Sequence, residues 1–259
     1  MTDTQPIVIR NTPEGVAVFQ INRLEKKNAL TLAMYTRLTE AFKAAAVDGA
    51  VRVVVIHGDP GCFTSGNDLN DFLESPPDGP ESPVFRFLST LIGFGKPVIA
   101  GVGGAAVGIG TTMLLHCDLV YATPATRFQL PFVPLGLCPE AASSYLLPLM
   151  AGHQRAAELL LLGGPFTADQ AQQIGLVNAR VEEDQLLAHV MDQARKIAAL
   201  PQAAVRATRK LMKQSSLNAI REALVSEGEI FVERLNSPEA REAFTAFFEK
   251  RKPDFSKFD

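Results

Sequence analysis

"KPVIAGVGGAAVGIG", Lys96 to Gly110, admits two folds, and the choice between them decides how the rest of the chain is read. Its first half, "KPVIAGV", is a short and almost continuous apolar run, the pattern of a strand covered on both faces. In the second half, Gly101, Gly103 and Ala106 spell G-x-G-x-x-A, the dinucleotide fingerprint, just after that strand. A Rossmann unit also wants an acid about 20 positions on, at the end of the next strand. Here the acid is Asp118, and it opens the strand "DLVYAT" instead of closing it. A G-x-x-x-x-G-K-[ST] phosphate loop is also missing. The remaining reading is a strand that turns on glycines into the helix "TTMLLHC", leaving backbone N–H groups free at the turn.

Upstream, "IVIRNT" and "VAVFQIN" alternate in period two around the turn "PEG", which predicts a β-hairpin. Such a hairpin does not belong in a plain doubly wound sheet. "NRLEKKNALT" is a polar connector. "LAMYTRLTEAFKAAAVD" has helical spacing and closes near Gly49. "VRVVVIHG" predicts a second buried strand, and "DPGCFTSGNDLNDF" a turn-rich loop sliding into a helix. "ESPPDGPESP" is a loop rich in Pro and Gly, followed by the helix "VFRFLSTLIGFG". Downstream, "TRFQLP" is a short strand. From Pro139 onward the pattern is helical, with one further short strand at "GLVNARV". Beyond Glu182 no strand is expected. "SPEAREAFTAFFEKRKPDF" carries Ser237 as a cap, Pro238 in the first turn, and Pro253 as a stop. The chain therefore reads as α/β over residues 1–195 and all-helical over 196–259.

Composition narrows the function classes. The 259 residues are 47% hydrophobic and 20% charged, enough for a real core and too apolar for a disordered chain. A net charge of −3 gives no bulk attraction to nucleic acid or to anionic membranes. No apolar run has the length of a membrane span. Cys62, Cys117 and Cys138 are odd in number and widely spaced, so neither a disulfide framework nor a zinc site is expected. His57, His116, His153 and His189 show no ligand spacing. The start "MTDTQPIVIR" lacks a leader pattern, and the end "KFD" is not the peroxisomal tripeptide. Cysteines that form no disulfide framework fit a reducing compartment, so a cytoplasmic home is expected.

Three places could carry chemistry. In "FTSGNDL", Phe63 to Leu69, Gly66 permits a sharp turn, and Asn67 or Asp68 could cap the next helix. Alternatively, successive N–H groups there face a ligand. The turn in "GVGGAAVGIG" offers the same possibility. Two such turns can converge, and two N–H donors on one carbonyl oxygen form an oxyanion hole. The third place is Glu140, the only carboxylate between Asp118 and Glu158, with "QLPFVPL" before it and "LLPLMAG" after. Pro139 suits the first turn of a helix, so Glu140 is expected in that turn. There it is either an acid serving the helix dipole or a base with a pKa raised by its apolar flanks. Cys138 has no identified His partner and reads as a small buried side chain.

The ordered set "NRLEKKNAL", "FTSGNDL", "KPVIAGVGGAAVGIG", "CDLVYA", "QIGLVNARV" and "AFFEKRKPDF" resembles the crotonase, or enoyl-CoA hydratase/isomerase, superfamily from about Val8 to Phe255. The resemblance implies a spiral of ββα units followed by a helical region that mediates assembly as a homotrimer or a dimer of trimers. It also implies an acyl-CoA thioester substrate, with coenzyme A belonging to the substrate and no further cofactor or metal. The oxyanion donors would be the backbone N–H groups of Asn67 and Ile109. The CoA portion would lie along Lys26, Ser65, Gly66, Asn67, Asp68, Leu69 and Gly108. Lys27 could reach a phosphate or simply sit in a solvated turn, and Asp68 is expected to brace the loop. Hydratases of this family use two glutamates, and the matching positions here hold Thr112 and Phe132. The acid at Glu140 instead resembles the base of the peroxisomal-type Δ3,Δ2-enoyl-CoA isomerase branch, which shares the "SGNDL" loop and a "PExxSSY" segment. The resemblance thus implies an isomerase of β-oxidation type that moves a 3-enoyl double bond to the 2-position. Other crotonase chemistry, hydration or thioester hydrolysis, and a non-catalytic acyl-CoA binder remain the alternatives.

Overall fold

A computed structural model describes residues 5–258. The first four residues and Asp259 lie outside the described residues, so the readings of a missing leader and of the terminal tripeptide rest partly on undescribed positions. The strands in chain order are β1 (Ile7–Asn11), β2 (Val16–Ile21), β3 (Val53–His57), β4 (Cys62–Thr64), β5 (Val98–Val102), β6 (Ala105–Val107), β7 (Leu119–Ala122), β8 (Arg127–Gln129), β9 (Pro165–Thr167) and β10 (Ala179–Arg180). The helices are α1 (Leu32–Val47), α2 (Leu69–Glu74), α3 (Pro83–Gly93), α4 (Ile109–Thr112), α5 (Ser143–Ala151), α6 (His153–Ala157), α7 (Ala168–Gln173), α8 (Leu186–Ala198), α9 (Gln202–Gln214), α10 (Leu217–Leu235) and α11 (Pro238–Phe248).

The strands form two sheets. The larger has the order β1-β2-β3-β5-β7-β10, and the smaller β4-β6-β8-β9. The N-terminal hairpin is antiparallel, and the rest of the larger sheet is parallel. Each turn of the chain lays one strand in the large sheet and the next in the small one: β3 then β4, β5 then β6, β7 then β8. This is the expected spiral. Its central parallel strands β3, β5 and β7 are almost wholly apolar, the pattern of strands covered on both faces. Val54, Ile56, Val98 and Ala100 pack into the main core with α1 and α3, while Val53, Val55 and Ile99 pack against Leu186, Val190 and Ala194 of α8.

The glycines of the opening stretch have a packing cause, not a dinucleotide. A side-chain carbon at Gly103 would lie 2.1 Å from the carbonyl oxygen of Pro60, and one at Gly104 only 1.7 Å from that of Gly61. The β5–β6 turn therefore stacks directly on the β3–β4 turn, and only glycine allows that approach. Asp118, wrongly placed for a ribose, accepts the Val98 N–H at 2.8 Å and pairs with Arg209 of α9 at 2.7 Å.

Three differences from expectation concern local structure. β4, β6 and β9 were expected as loops or turns. At three residues each they are too short to show a period. The helix expected from Pro139 begins only at Ser143, because Ala141 and Ala142 adopt left-handed φ values of 60° and 56°. Glu140 therefore precedes α5 and is not in its first turn. Finally, α8 runs through the expected boundary at 195/196 to Ala198, and its apolar face belongs to the sheet. Beyond it only helices follow. No helix among the described residues is long and apolar enough to cross a membrane.

Candidate active site

The two glycine turns meet. A side-chain carbon at Gly66 would lie 3.0 Å from the carbonyl oxygen of Val107, and one at Gly110 2.6 Å from the Thr64 methyl. Both turns follow strands of the small sheet, β4 and β6, which pair in parallel and so present their ends side by side. Gly66 has φ +94° and Gly108 φ +56°, backbone that L side chains resist.

The register of the first turn orients its amides. Leu30 N–H donates to Gly66 O at 2.8 Å, and Asp68 N–H donates to Leu30 O at 2.9 Å. Parallel pairing of this kind turns the N–H of the intervening Asn67 to the opposite side. In the second turn, Gly108 N–H donates to Gln129 O at 2.9 Å, and Ile109 opens α4 with an N–H that has no partner within the helix. Neither the Asn67 nor the Ile109 N–H meets an acceptor among the described residues. Both residues line one cleft of about 570 Å³.

All of the expected substrate-contact positions line that cleft: Lys26, Ser65, Gly66, Asn67, Asp68, Leu69 and Gly108. Lys27 lines it too. Away from the lysines and the Ser65–Asn70 loop the wall is mostly apolar, with Phe72, Phe132, Leu137 and Phe231 among its members. Asp68 is the expected brace. Its carboxylate accepts from Asn70 N–H at the start of α2 and pairs with Arg23 at 2.7 Å, and the pull of that guanidinium with the helix-start N–H groups outweighs partial burial and lowers its pKa. The connector "NRLEKKNAL" is pinned by Asn28, fully buried, whose side chain donates to Cys62 O and accepts from Arg23 N–H, each at 2.7 Å.

Glu140 is 6% exposed. Its Oε1 accepts from the Thr112 hydroxyl, and its Oε2 is buried without a partner among the described residues. Thr112 ends α4, the helix that Ile109 begins, so the carboxyl stands one short helix from the second donor. Glu140 itself is not among the cleft-lining residues. Burial pushes its pKa up to about 8. The Thr112 hydrogen bond opposes that rise, and the charge of Glu227 adds to it.

Several participants lay outside what the sequence suggested. Tyr35 of α1, fully buried, donates its hydroxyl to the Asn67 side chain. Its pKa is held well above the usual value by burial and then by the neighbouring Glu140 charge. His116 is buried, with its pKa down to about 4 chiefly through desolvation. Neutral at working pH, it donates from Nε2 to Ala141 O at 2.7 Å. Glu227 of α10 accepts backbone N–H groups just past Glu140. A tyrosine in an amphipathic helix and a glutamate in "VSEGEIF" give no local sign of such contacts. Cys138 is no nucleophile candidate, since burial raises its thiol to about 11.

The sequence profile described as enoyl-CoA hydratase/isomerase matches residues 11–257. The 2,3-dehydroadipyl-CoA hydratase of Escherichia coli K12 is 33% identical over 249 residues, 96% of this chain and 98% of that protein. Human enoyl-CoA delta isomerase 2 is 31% identical over 251 residues, 94% of this chain and 64% of its own length. The solved structure of Pseudomonas aeruginosa OdaA is 50% identical, with a TM-score of 0.92, covering 94% of this chain and 99% of that one.

Proposed function

Because the chain belongs to the enoyl-CoA hydratase/isomerase family, whose matched relatives carry names of both kinds, we propose that its own reaction is isomerisation of a 3-enoyl-CoA to the 2-enoyl-CoA. The observation that carries this reading is Glu140: one buried carboxyl against Thr112, where a hydratase of the family would have its first acid, with Phe132 at the position of the second.

In this reading the thioester carbonyl oxygen sits on the N–H groups of Asn67 and Ile109. The Glu140 carboxylate takes a proton from C2. Electrons move onto the thioester oxygen, giving a dienolate that the two donors stabilise. The protonated carboxyl then returns the proton to C4, and the double bond ends at C2–C3. No water is consumed, so a single carboxyl suffices. A positioned base typically contributes ~10²–10⁴-fold, and each oxyanion donor ~10²–10³-fold. Oε2, unpartnered, is the atom suited to the shuttle. It must reach within hydrogen-bond distance of C2 once the acyl chain enters. Lys26 and Lys27 supply cations at the cleft for the CoA phosphates. Coenzyme A enters as part of the substrate, and the reading needs no other cofactor. Homotrimeric assembly, cytoplasmic residence and a place in β-oxidation belong to the same proposal.

The deciding experiment compares wild type with Glu140→Gln on 3-hexenoyl-CoA and longer 3-enoyl-CoAs. A parallel assay follows 3-hydroxyacyl-CoA formation from 2-enoyl-CoA. Loss of isomerisation in the variant, with slow hydration in both proteins, supports the reading. Efficient hydration by wild type would replace isomerase with hydratase, and tight binding without any turnover would leave only an acyl-CoA binder.

A further inference from the structure

Glu140 is followed by Ala141 and Ala142, both in left-handed backbone with φ of 60° and 56°. Two consecutive non-glycine residues in that region are strained, and they persist only where the surroundings hold them. The corner is held at several points. His116 Nε2 donates to Ala141 O at 2.7 Å, and Ser143 Oγ donates to Glu140 O at 2.6 Å. The remaining hold comes from α10, far along the chain. Glu227 Oε2 accepts Ala142 N–H at 2.6 Å, and Glu227 Oε1 accepts Ser144 N–H at 2.8 Å. Glu227 is only 6% exposed, an acid set in the helical region with both oxygens committed to this corner.

We propose that Glu227 is a positioning residue for Glu140: by accepting the Ala142 and Ser144 N–H groups it holds the left-handed pair and so fixes where the Glu140 carboxyl stands. Its consequence for turnover rests on the isomerase reading above, but its consequence for the Glu140 carboxyl does not. Glu227 also places a negative charge near Glu140, which disfavours ionisation of that carboxyl. The other titratable groups facing the two carboxyls are Tyr35 of α1, His116 before β7 and Cys138 on the loop. Burial keeps Tyr35 and Cys138 protonated and His116 neutral across the working range, so none of them changes charge there. A shift in Glu140 titration on removing Glu227 therefore reports on Glu227.

The test uses the full-length variants Glu227→Ala and Glu227→Gln, with Glu140→Gln as reference. Two quantities are followed against pH: kcat and KM on a 3-enoyl-CoA, and the infrared carboxyl band that Glu140→Gln abolishes. In Glu227→Ala, kcat is expected to fall about 10- to 100-fold, the cost of small misplacement, with KM near wild type. The Glu140 band is expected to titrate at lower pH. Glu227→Gln, which keeps one acceptor oxygen but not the charge, should lose less kcat than the alanine variant while its Glu140 band moves as far, and it serves alone if the alanine variant does not fold. A merely structural cap would lower the yield of folded enzyme without lowering the pH-independent kcat of the enzyme that folds. A pH-independent kcat equal to wild type in both variants overturns the proposal, whatever the band does. If Glu140→Gln itself retains full isomerisation, the isomerase reading fails, while the infrared titration still decides whether Glu227 governs Glu140.

Discussion

The hydroxyl of Thr112 donates to one oxygen of the Glu140 carboxyl, and the other oxygen of that carboxyl is buried without a partner among the described residues. One oxygen is thus anchored, and the other is the one the proposed reaction would use. The anchor also tunes the group. It favours the ionised form, against a burial that has raised the pKa to about 8. In the proposed reaction Glu140 is the base, which works only when ionised. The value of kcat/KM should therefore rise with pH and level off above about 8. Thr112→Val removes the opposing hydrogen bond, so the limb should move to higher pH and activity near neutrality should drop severalfold. A pH–rate profile of both proteins checks this. A limb that stays in place in the variant would assign it to some other group.

Glu140 should also be visible in stability. Its folded pKa, about 8, lies above the ordinary value of 4.5, so the folded state holds the proton more tightly than the unfolded chain. That contribution is fully present below 4.5 and is lost as pH rises through 8, with a slope of at most ~1.4 kcal/mol per pH unit. Glu140→Gln has no proton to lose. The melting temperature of the variant should gain on wild type between pH 5 and pH 8, with the gap flat above that. Parallel thermal melts at fixed ionic strength measure it.

Gly108→Ala tests the second donor without touching a side chain. Its φ of +56° and ψ of −119° suit glycine alone, yet nothing lies within 4 Å of where the added carbon would point. Any loss must come from backbone rearrangement and not from collision. The turn should relax, the Ile109 N–H should rotate away, and kcat should fall by roughly 10² with the fold retained. Full turnover by this variant would strike Ile109 from the mechanism.

The pair of Arg209 and Asp118 ties the helical region to the sheet. Arg209 Nε meets Asp118 Oδ2 at 2.7 Å, and its Nη1 donates to Phe94 O. Both side chains are largely buried, at 9% and 15% exposure. Arg209→Met removes the nearer of two cations from a buried carboxylate, leaving Lys213 Nζ at 3.9 Å from Asp118 Oδ1, and should cost up to about 3 kcal/mol in urea unfolding. A loss below about 1 kcal/mol would mean that Lys213 and the Val98 N–H already satisfy Asp118.

Period and punctuation exposed the long elements. "VAVFQI" alternates, "VVVIH" and "VIAGV" run apolar, and Ser237-Pro238 announces α11, because burial of one or both faces writes itself into consecutive residues. Of the three-residue strands, β4, β6 and β9 stayed hidden for want of a period, and only β8 was expected, within "TRFQLP". The late start of α5 stayed hidden because two alanines, good helix formers, are held left-handed by partners from elsewhere in the chain.

The sequence by itself determined which residues could do the chemistry: two glycine turns after strands, and one acid isolated among apolar neighbours. Those are local facts of composition and order. Only the tertiary structure decided that the turns touch, that the Asn67 and Ile109 amides are the ones left over, and that Thr112, Tyr35, His116 and Glu227 gather around Glu140 or the loops beside it. The reason is distance along the chain. A hydrogen bond between α10 and the start of α5 costs the sequence nothing recognisable, since any buried acid would look the same until the fold brings an amide to it.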